Sequence, residues 1–287
     1  MERLALLTRR IHSLSDLHGV VGALRGLAAA RRQQAAEALA GAHLFAEVVG
    51  QALAEALALL PGDAPSSLST PSSPAVLLFG AENGFVGAFN EVLLDKARAV
   101  TGGGPLLVVG SRCAVKAAER GQPPAWTTAM TSHRAGVPAL ARRIAEALYQ
   151  RFADGHLTGL VMVYARSSGG SQWSAEMERL LPLDPRRLPP AGGPPPLLTL
   201  DARSLVDALI GEYLFALLAQ AAMDSLVAEN AARFAAMEAA RQNIERRLDD
   251  LNRAAHRLRQ EDITTELLDV VTGAEAAASP LLCRRAE

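Results

Sequence analysis

The stretch best suited to cradling a phosphate is FGAENGFVGAFN, Phe79–Asn90. It sets glycines in a turn between a short apolar run and a helical pattern, where converging backbone N–H groups can hold an anion. Its glycines, Gly80, Gly84 and Gly87, are spaced GxxxGxxG. That is neither the dinucleotide fingerprint nor the GxxxxGK[ST] loop. A structural turn is the plainer reading, with a nucleotide site as the alternative. The other glycine cluster, TGGGPLLVVG, sets its glycines ahead of the apolar run, on the wrong side for a phosphate, and reads as a loop.

Other chemistry does not assemble. The six histidines, His12, His18, His43, His133, His156 and His256, include no HExxH pair and no cysteine partner at ligand spacing. His12, His18 and His256 fall on long helical patterns, where solvated or interhelical roles are expected. There is no GxSxG elbow and no SxxK, and Ser167-Ser168-Gly169-Gly170 reads as a turn. The run Arg241–Arg259 mixes signs through Arg246, Arg247, Asp249, Asp250 and Arg253, the pattern of a solvated helix face rather than of nucleic-acid binding. Neither catalytic residues, a metal site nor a cofactor is expected.

Composition points the same way. Of the 287 residues, 49% are hydrophobic but only 4% aromatic, and alanine is conspicuous, which favours close helix contacts over a bulky β core. A formal charge of −1 gives no field that would gather nucleic acid or an anionic membrane. Cys113 and Cys283 lie far apart, which is neither a disulfide framework nor a metal spacing and fits a reducing cytoplasm. The opening MERLALLTRRIHSL has charges inside its apolar stretch and lacks a signal-peptide core. The most apolar window, Leu205–Met223, is interrupted by Asp207 and Glu212, so burial in protein is expected rather than a transmembrane segment.

Three zones must therefore position whatever the protein uses. Residues 1–60 read as one helix, roughly 80 Å long if unbroken. Positions 14, 17, 21, 24, 28, 35, 38 and 42 form a heptad seam, with Arg31 on the same row. Gly19, Gly22 and Gly26 inside it suggest either close approach of a partner backbone or a local kink or break, each costing about 1 kcal/mol relative to alanine. Pro61–Pro74 is a linker by composition.

The second zone, 75–198, alternates apolar runs at 75–80, 105–110 and 157–164 with helical patterns, which predicts a mostly parallel, Rossmann-like α/β domain. SQWSAEMERLLPL could add an edge strand, and PLDPRRLPPAGGPPP is an irregular connection. The third zone, 201–276, is a helix whose seam runs through Met237, Ile244, Leu251 and Leu258, with Arg241, Leu248 and Ala255 on the second row. It would span roughly 110 Å. Neither long helix can bury its seam alone, so the fold class expected is α/β with an antiparallel coiled coil of the two terminal helices. The longer C-terminal helix should project past its partner.

The C-terminal LRQEDITTELLDVVTGAEA resembles the end of the gamma subunit of F-type rotary ATP synthases. That family has an Arg-Gln pair, an I-T-x-E core and a Gly-Ala close, matched here by Arg259, Gln260, Ile263, Thr264, Glu266, Gly273 and Ala274. Upstream, Ser225, Glu229, Ala232, Arg233, Met237, Ala240 and Asn243 fall in register with the family's run, with Asn230 where His is usual. LTRRIHSL and ALRGLAAARRQQA resemble its N-terminal segments, Arg31 standing at the basic position, and GAENGFVGAFN resembles its central S-D-R-G-L-C-G-x-F-N turn. Two departures stand out. The family's T-Q-K-I-T-x-A-M becomes LHGVVGAL, and its Asp-Arg becomes Glu82-Asn83. They suggest a variant branch such as the N-type ATPases.

The resemblance implies a non-catalytic central-stalk rotor. Its paired helices would pass through a ring of alternating alpha and beta subunits, and its globular domain would rest with the epsilon subunit on the membrane c-ring, at the cytoplasmic face of the bacterial plasma membrane. Rotation would couple proton or sodium flow to ATP synthesis or hydrolysis on alpha and beta. The resemblance also implies that Arg259 and Gln260 hydrogen-bond to the catalytic ring and that Arg31 and Arg32 meet acidic residues of the beta subunits, plain solvation being the alternative for the latter pair. A structural coiled-coil adaptor is the competing reading, and a nucleotide-binding enzyme the third.

Overall fold

The computed structural model describes residues 2–60, 73–155, 157–169, 172–191, 198 and 200–278. The helix α1 covers Glu2–Leu57, and α5 covers Ala202–Ala278. Between them lie β1 (Ala75–Phe79), α2 (Phe89–Thr101), β2 (Leu106–Val109), α3 (Ser111–Glu119), β3 (Trp126–Thr128), α4 (Val137–Ala153), β4 (Leu160–Gly169) and β5 (Gln172–Leu181). Most of the expected linker, 61–72, lies outside the described residues, as do His156, Gly170, Cys283 and part of the proline-rich connection.

The five strands are ordered β3-β2-β1-β4-β5. The pairs β1–β2, β1–β4 and β2–β3 are parallel, and β5 lies antiparallel along β4 at the edge. All five residues of β1 are buried because both sheet faces are covered, which is why it reads as a continuous apolar run rather than an alternation. On one face Leu77, Phe79, Met162 and Tyr164 pack on α4 through Leu140 and Ile144 and on α5 through Leu218 and Leu226. On the other, Val76, Leu78, Val108 and Val163 pack on α2 through Phe89 and Leu93 and on α3 through Cys113 and Ala117.

Close packing at the strand ends explains one glycine pair. Gly110, between β2 and α3, has φ +118°, and a Cβ there would lie 2.5 Å from the Gly80 carbonyl oxygen. Only glycine combines that backbone with that approach.

The described residues fall into two compact units. One joins α1 up to Leu24 with α5 from Met237 onward; the other is Arg25–Ala236. In the first, Val21, Met237 and Ile244 are buried, with Leu14, Leu24, Ala240 and Leu248 packed around them. His18 Nε2 lies 3.2 Å from Glu245 Oε1, and nearer the N-terminus Leu6 and Arg10 line a pocket with Arg247 and Leu251. The partner numbers fall along α5 as they rise along α1, so the helices run antiparallel. The same holds in the second unit, where Arg32 lies over the Phe234 ring, His43 meets Asp224 and Phe45 stands edge-on to Phe215.

Three local expectations change. The break at Gly19, Gly22 and Gly26 gives way, since α1 runs continuously through them. A Cβ at any of the three would meet nothing within 4 Å among the described residues, so no described backbone of this chain approaches them closely. Ser167, Ser168 and Gly169 are the end of β4 rather than a turn, because that strand extends to pair Ser167 with Trp173 and Gly169 with Gln172. The short strand Trp126–Thr128 was not expected; three residues are too few to show a period.

α5 also holds an 18-residue window of mean hydropathy 1.5, apolar enough by length and composition to cross a membrane. Leu214, Leu218 and Ala221 of that region are buried in the core against the sheet, and 33% of the window is buried in all.

Candidate functional site

The glycine turn after β1 holds an anion, and the anion is part of this chain. The buried Glu229 carboxylate of α5 lies against this turn, where the backbone N–H groups of Glu82 and Asn83 favour its charged form. Arg233, one helical turn further on, donates to Glu229, to the Asn83 carbonyl at 3.4 Å and to the Gly84 carbonyl at 3.3 Å. The neighbouring Ala81 N–H is taken by Asn90 Oδ1 at 2.9 Å. A strand–turn–helix of this kind presents N–H groups that suit a phosphate. Here a carboxylate from another element occupies them. Burial pushes the Glu229 carboxyl above its usual range, and the Arg233 guanidinium and the turn's N–H groups pull it back.

The turn then ties onward. The Glu82 carboxylate accepts from the Ser111 N–H at 3.0 Å and hydroxyl at 2.8 Å at the start of α3, and from the Met130 N–H at 2.8 Å beyond β3. An acidic group at a helix N-terminus satisfies orphan N–H donors and suits the helix dipole. The Glu82-Asn83 departure therefore has a structural use in this chain.

A second polar cluster lies on the same helix. Buried Asp224 accepts from His43 of α1 at 3.0 Å, with Arg166 Nε of β4 3.8 Å away. Ser225 Oγ accepts from the Ala165 N–H at 3.2 Å. Burial raises the Asp224 carboxyl above its ordinary range, opposed by His43 and Arg166. Arg166 also donates to the Tyr164 hydroxyl, whose pKa burial pushes up to about 12.

The residues expected to meet partners fall in different units. Arg259 and Gln260 are exposed on α5, where the Gln260 carbonyl accepts from Thr264 Oγ1 at 2.8 Å. Past Leu258 the helix is nearly all exposed, including Ile263, Leu267, Leu268, Val270 and Val271. Arg31 and Arg32 are half-buried in the other unit, and the Arg32 guanidinium carbon lies 5.6 Å from the Phe234 ring centroid. Arg32 is thus engaged inside the chain to an extent that plain solvation does not describe.

Among the described residues no group of three or more His, Cys, Asp or Glu side chains is placed to hold a metal ion. His18 and His43 are interhelical, paired with Glu245 and Asp224. His12 and His256 are exposed. The anchoring roles of Ser225, Glu229 and Arg233 were not read from the sequence. Their spacing of four residues, which places them on one helix stripe, is the signal that could have grouped them.

Two long helices running antiparallel, with a five-stranded α/β head built between them in sequence, define a stalk-type class of protein. The sequence model of the ATP synthase family matches residues 3–277, and the chain belongs to that family, among its gamma chains. It is 28% identical over 288 residues to the ATP synthase gamma chain of Parafrankia sp. (strain EAN1pec), covering 94% of this chain and 96% of that one. To the ATP synthase gamma chain of Thermobifida fusca it is 27% identical, over 96% and 97% of the two chains. Among solved structures, a chain of the Euglena gracilis mitochondrial ATP synthase rotor superposes with a TM-score of 0.65 at 14% identity, covering 91% of this chain and 99% of that one. A chain of the Tetrahymena thermophila central stalk and c-ring gives a TM-score of 0.58 at 15% identity, over 77% and 99%.

Proposed function

We propose that this chain is the rotating central stalk of a membrane-associated ATP synthase. α1 and α5 form the shaft inside a ring of alpha and beta subunits. The α/β head rests with an epsilon subunit on the c-ring, at the cytoplasmic face of a bacterial plasma membrane. ATP is bound and cleaved on the ring, and this chain couples those sites to proton or sodium flow.

The observation that carries the reading is the exposed apolar stretch near the end of α5. Past Leu258 it leaves Ile263, Leu267, Val270 and Val271 exposed. An apolar helix end left exposed among the described residues suits a sleeve supplied by other subunits. A rotor works by favouring different ring states at different angles, which requires contacts that differ between states. Arg259 and Gln260, at the start of this end, are the proposed hydrogen-bonding contacts to the ring, and Arg31 and Arg32 the proposed contacts to acidic beta residues. The departures LHGVVGAL and Glu82-Asn83 support the reading of a variant branch such as the N-type ATPases.

The test is co-expression with the alpha and beta subunits encoded beside it. A complex that hydrolyses ATP and turns a bead attached to this chain is expected. A chain that instead forms its own stable dimer and ignores alpha and beta would sink the reading in favour of the adaptor.

A further inference from the structure

α5 meets the sheet and its covering helices through Leu218, Ala221, Ala222, Leu226, Ala228 and Ala232, all buried. Apolar contacts of this kind are non-directional, and small side chains give them little relief. They oppose separation far more than they oppose sliding along the helix axis or rolling about it. A part that carries torque needs resistance to both.

Directional contacts supply it. Ser225 Oγ takes the Ala165 N–H of β4 at 3.2 Å. Arg233 reaches the carbonyls of Asn83 and Gly84 at 3.4 and 3.3 Å and is held by Glu229, whose carboxylate the turn's N–H groups favour. Set four residues apart, the three side chains lie on one stripe that runs about 12 Å along the helix. They engage two separate places, a central strand and the turn beyond its neighbour. A slide of one residue would move each by about 1.5 Å, which a hydrogen bond does not survive. Glu82 hands the constraint on to Ser111 and Met130, so the stripe is fastened to the ends of β2 and β3 as well.

We infer that Ser225, Glu229 and Arg233 are positioning residues that key α5 to the α/β head, so that torque passes between head and helix without slip. The inference rests on the rotor reading above. It assigns the glycine turn a use: the nest that could hold a phosphate receives the helix's own carboxylate, making the turn a socket.

The full chain, assembled with the alpha, beta and c-ring subunits of its own source in lipid vesicles, tests this. The Ser225→Ala/Arg233→Met variant is compared with the unsubstituted complex. ATP hydrolysis is expected to stay within about twofold, while ATP-driven ion transport falls about fivefold or more. The angular spread of a bead carried on the head, with the ring held fixed, should roughly double as the joint softens. Arg233→Lys, which keeps the charge beside Glu229, should fall between the two. An unchanged angular spread and unchanged transport in the double variant would overturn the inference. If the double variant loses its helical circular dichroism, Ser225→Ala alone is read in the same way, and an unchanged spread in it overturns the inference. Failure of the unsubstituted chain to assemble at all would instead strike the rotor reading.

Discussion

Arg233 lies one helical turn beyond Glu229, and the two form a buried ion pair whose halves face the same turn of another element. The turn's N–H groups favour the charged carboxylate, and the guanidinium donates to the turn's carbonyls. The Asn83 and Gly84 carbonyls thus find a cationic partner on α5. The arrangement explains how charges can sit beneath an otherwise apolar helix face without being left unpaired.

Breaking this pair from one side should be expensive. Arg233→Met leaves Glu229 buried beside apolar surface, and the loss of one partner from a buried ion pair costs about 3–5 kcal/mol. The Glu229→Gln/Arg233→Met double variant should recover part of that loss, because no uncompensated charge remains. Urea unfolding of the native chain and the two variants measures it. A single-variant loss no greater than that of the double variant would contradict the pairing.

The same carboxyl sets a pH dependence. The folded pKa of Glu229 lies above its ordinary 4.5, because burial disfavours the charge. The folded state therefore holds the proton more readily than the unfolded chain does. Its contribution to stability is fully present below 4.5 and is lost as pH rises through the raised folded value. Removing Arg233 takes away the charge that restrains the shift, so Arg233→Met should lose stability more steeply than the native chain as pH climbs from that point. Unfolding midpoints collected across the acid range report the slope. Parallel profiles for the two proteins would count against it.

Cys113 offers a chemical probe of the same region. It is fully buried against Gly80, and burial pushes its thiol from 9.0 up to about 12. At mildly alkaline pH that shift leaves roughly a thousandfold less thiolate than an ordinary cysteine would have, and the thiolate is the reactive form. Iodoacetamide should leave the Cys113 peptide unmodified in the folded chain and modify it fully in urea, as read by mass spectrometry. The contact also predicts that Gly80→Ala disrupts the head, since a Cβ there would lie 2.3 Å from Cys113 Sγ. Labelling of Cys113 in the Gly80→Ala variant without denaturant is the expected sign.

Legibility in the sequence followed the physics of each element. The seam through Leu14, Val21, Met237 and Ile244 was visible because a helix that buries one stripe must repeat it. β1 and β2 were visible because strands covered on both faces become unbroken apolar runs. β3 was not, being three residues long with Thr127 exposed between half-buried neighbours. Ser167 and Ser168 looked like turn residues, yet their backbone is claimed by β5, a tertiary pairing that local composition does not encode. The socket was hidden for a similar reason. Arg233 finds Asn83 from 150 positions away, and a charged pair on a helical pattern reads as a solvated face until its partner is known. The exposed residues proposed to meet other subunits were legible only by resemblance, since the complements proposed for them would lie on other chains.

The open end of α5 gives the last prediction. Leu267 is 61% exposed, so Leu267→Asp should change the stability of the isolated chain by no more than about 0.5 kcal/mol. In a complex with alpha and beta, the same change would bury a charge in an apolar sleeve, which costs far more than the lost contact. Assembly or rotation should therefore fail while the isolated subunit remains folded. Arg259→Ala/Gln260→Ala should act differently. It would remove the hydrogen bonds proposed to the ring, those to a charged group contributing about 1.5–3 kcal/mol each, and leave the proposed apolar sleeve intact. Assembly should persist, with ATP-driven torque and stalling force reduced. Bead rotation under increasing viscous load separates the two outcomes. Normal torque from the Arg259→Ala/Gln260→Ala complex would remove both residues from the interface, and normal assembly of the Leu267→Asp complex would place the helix end outside the sleeve.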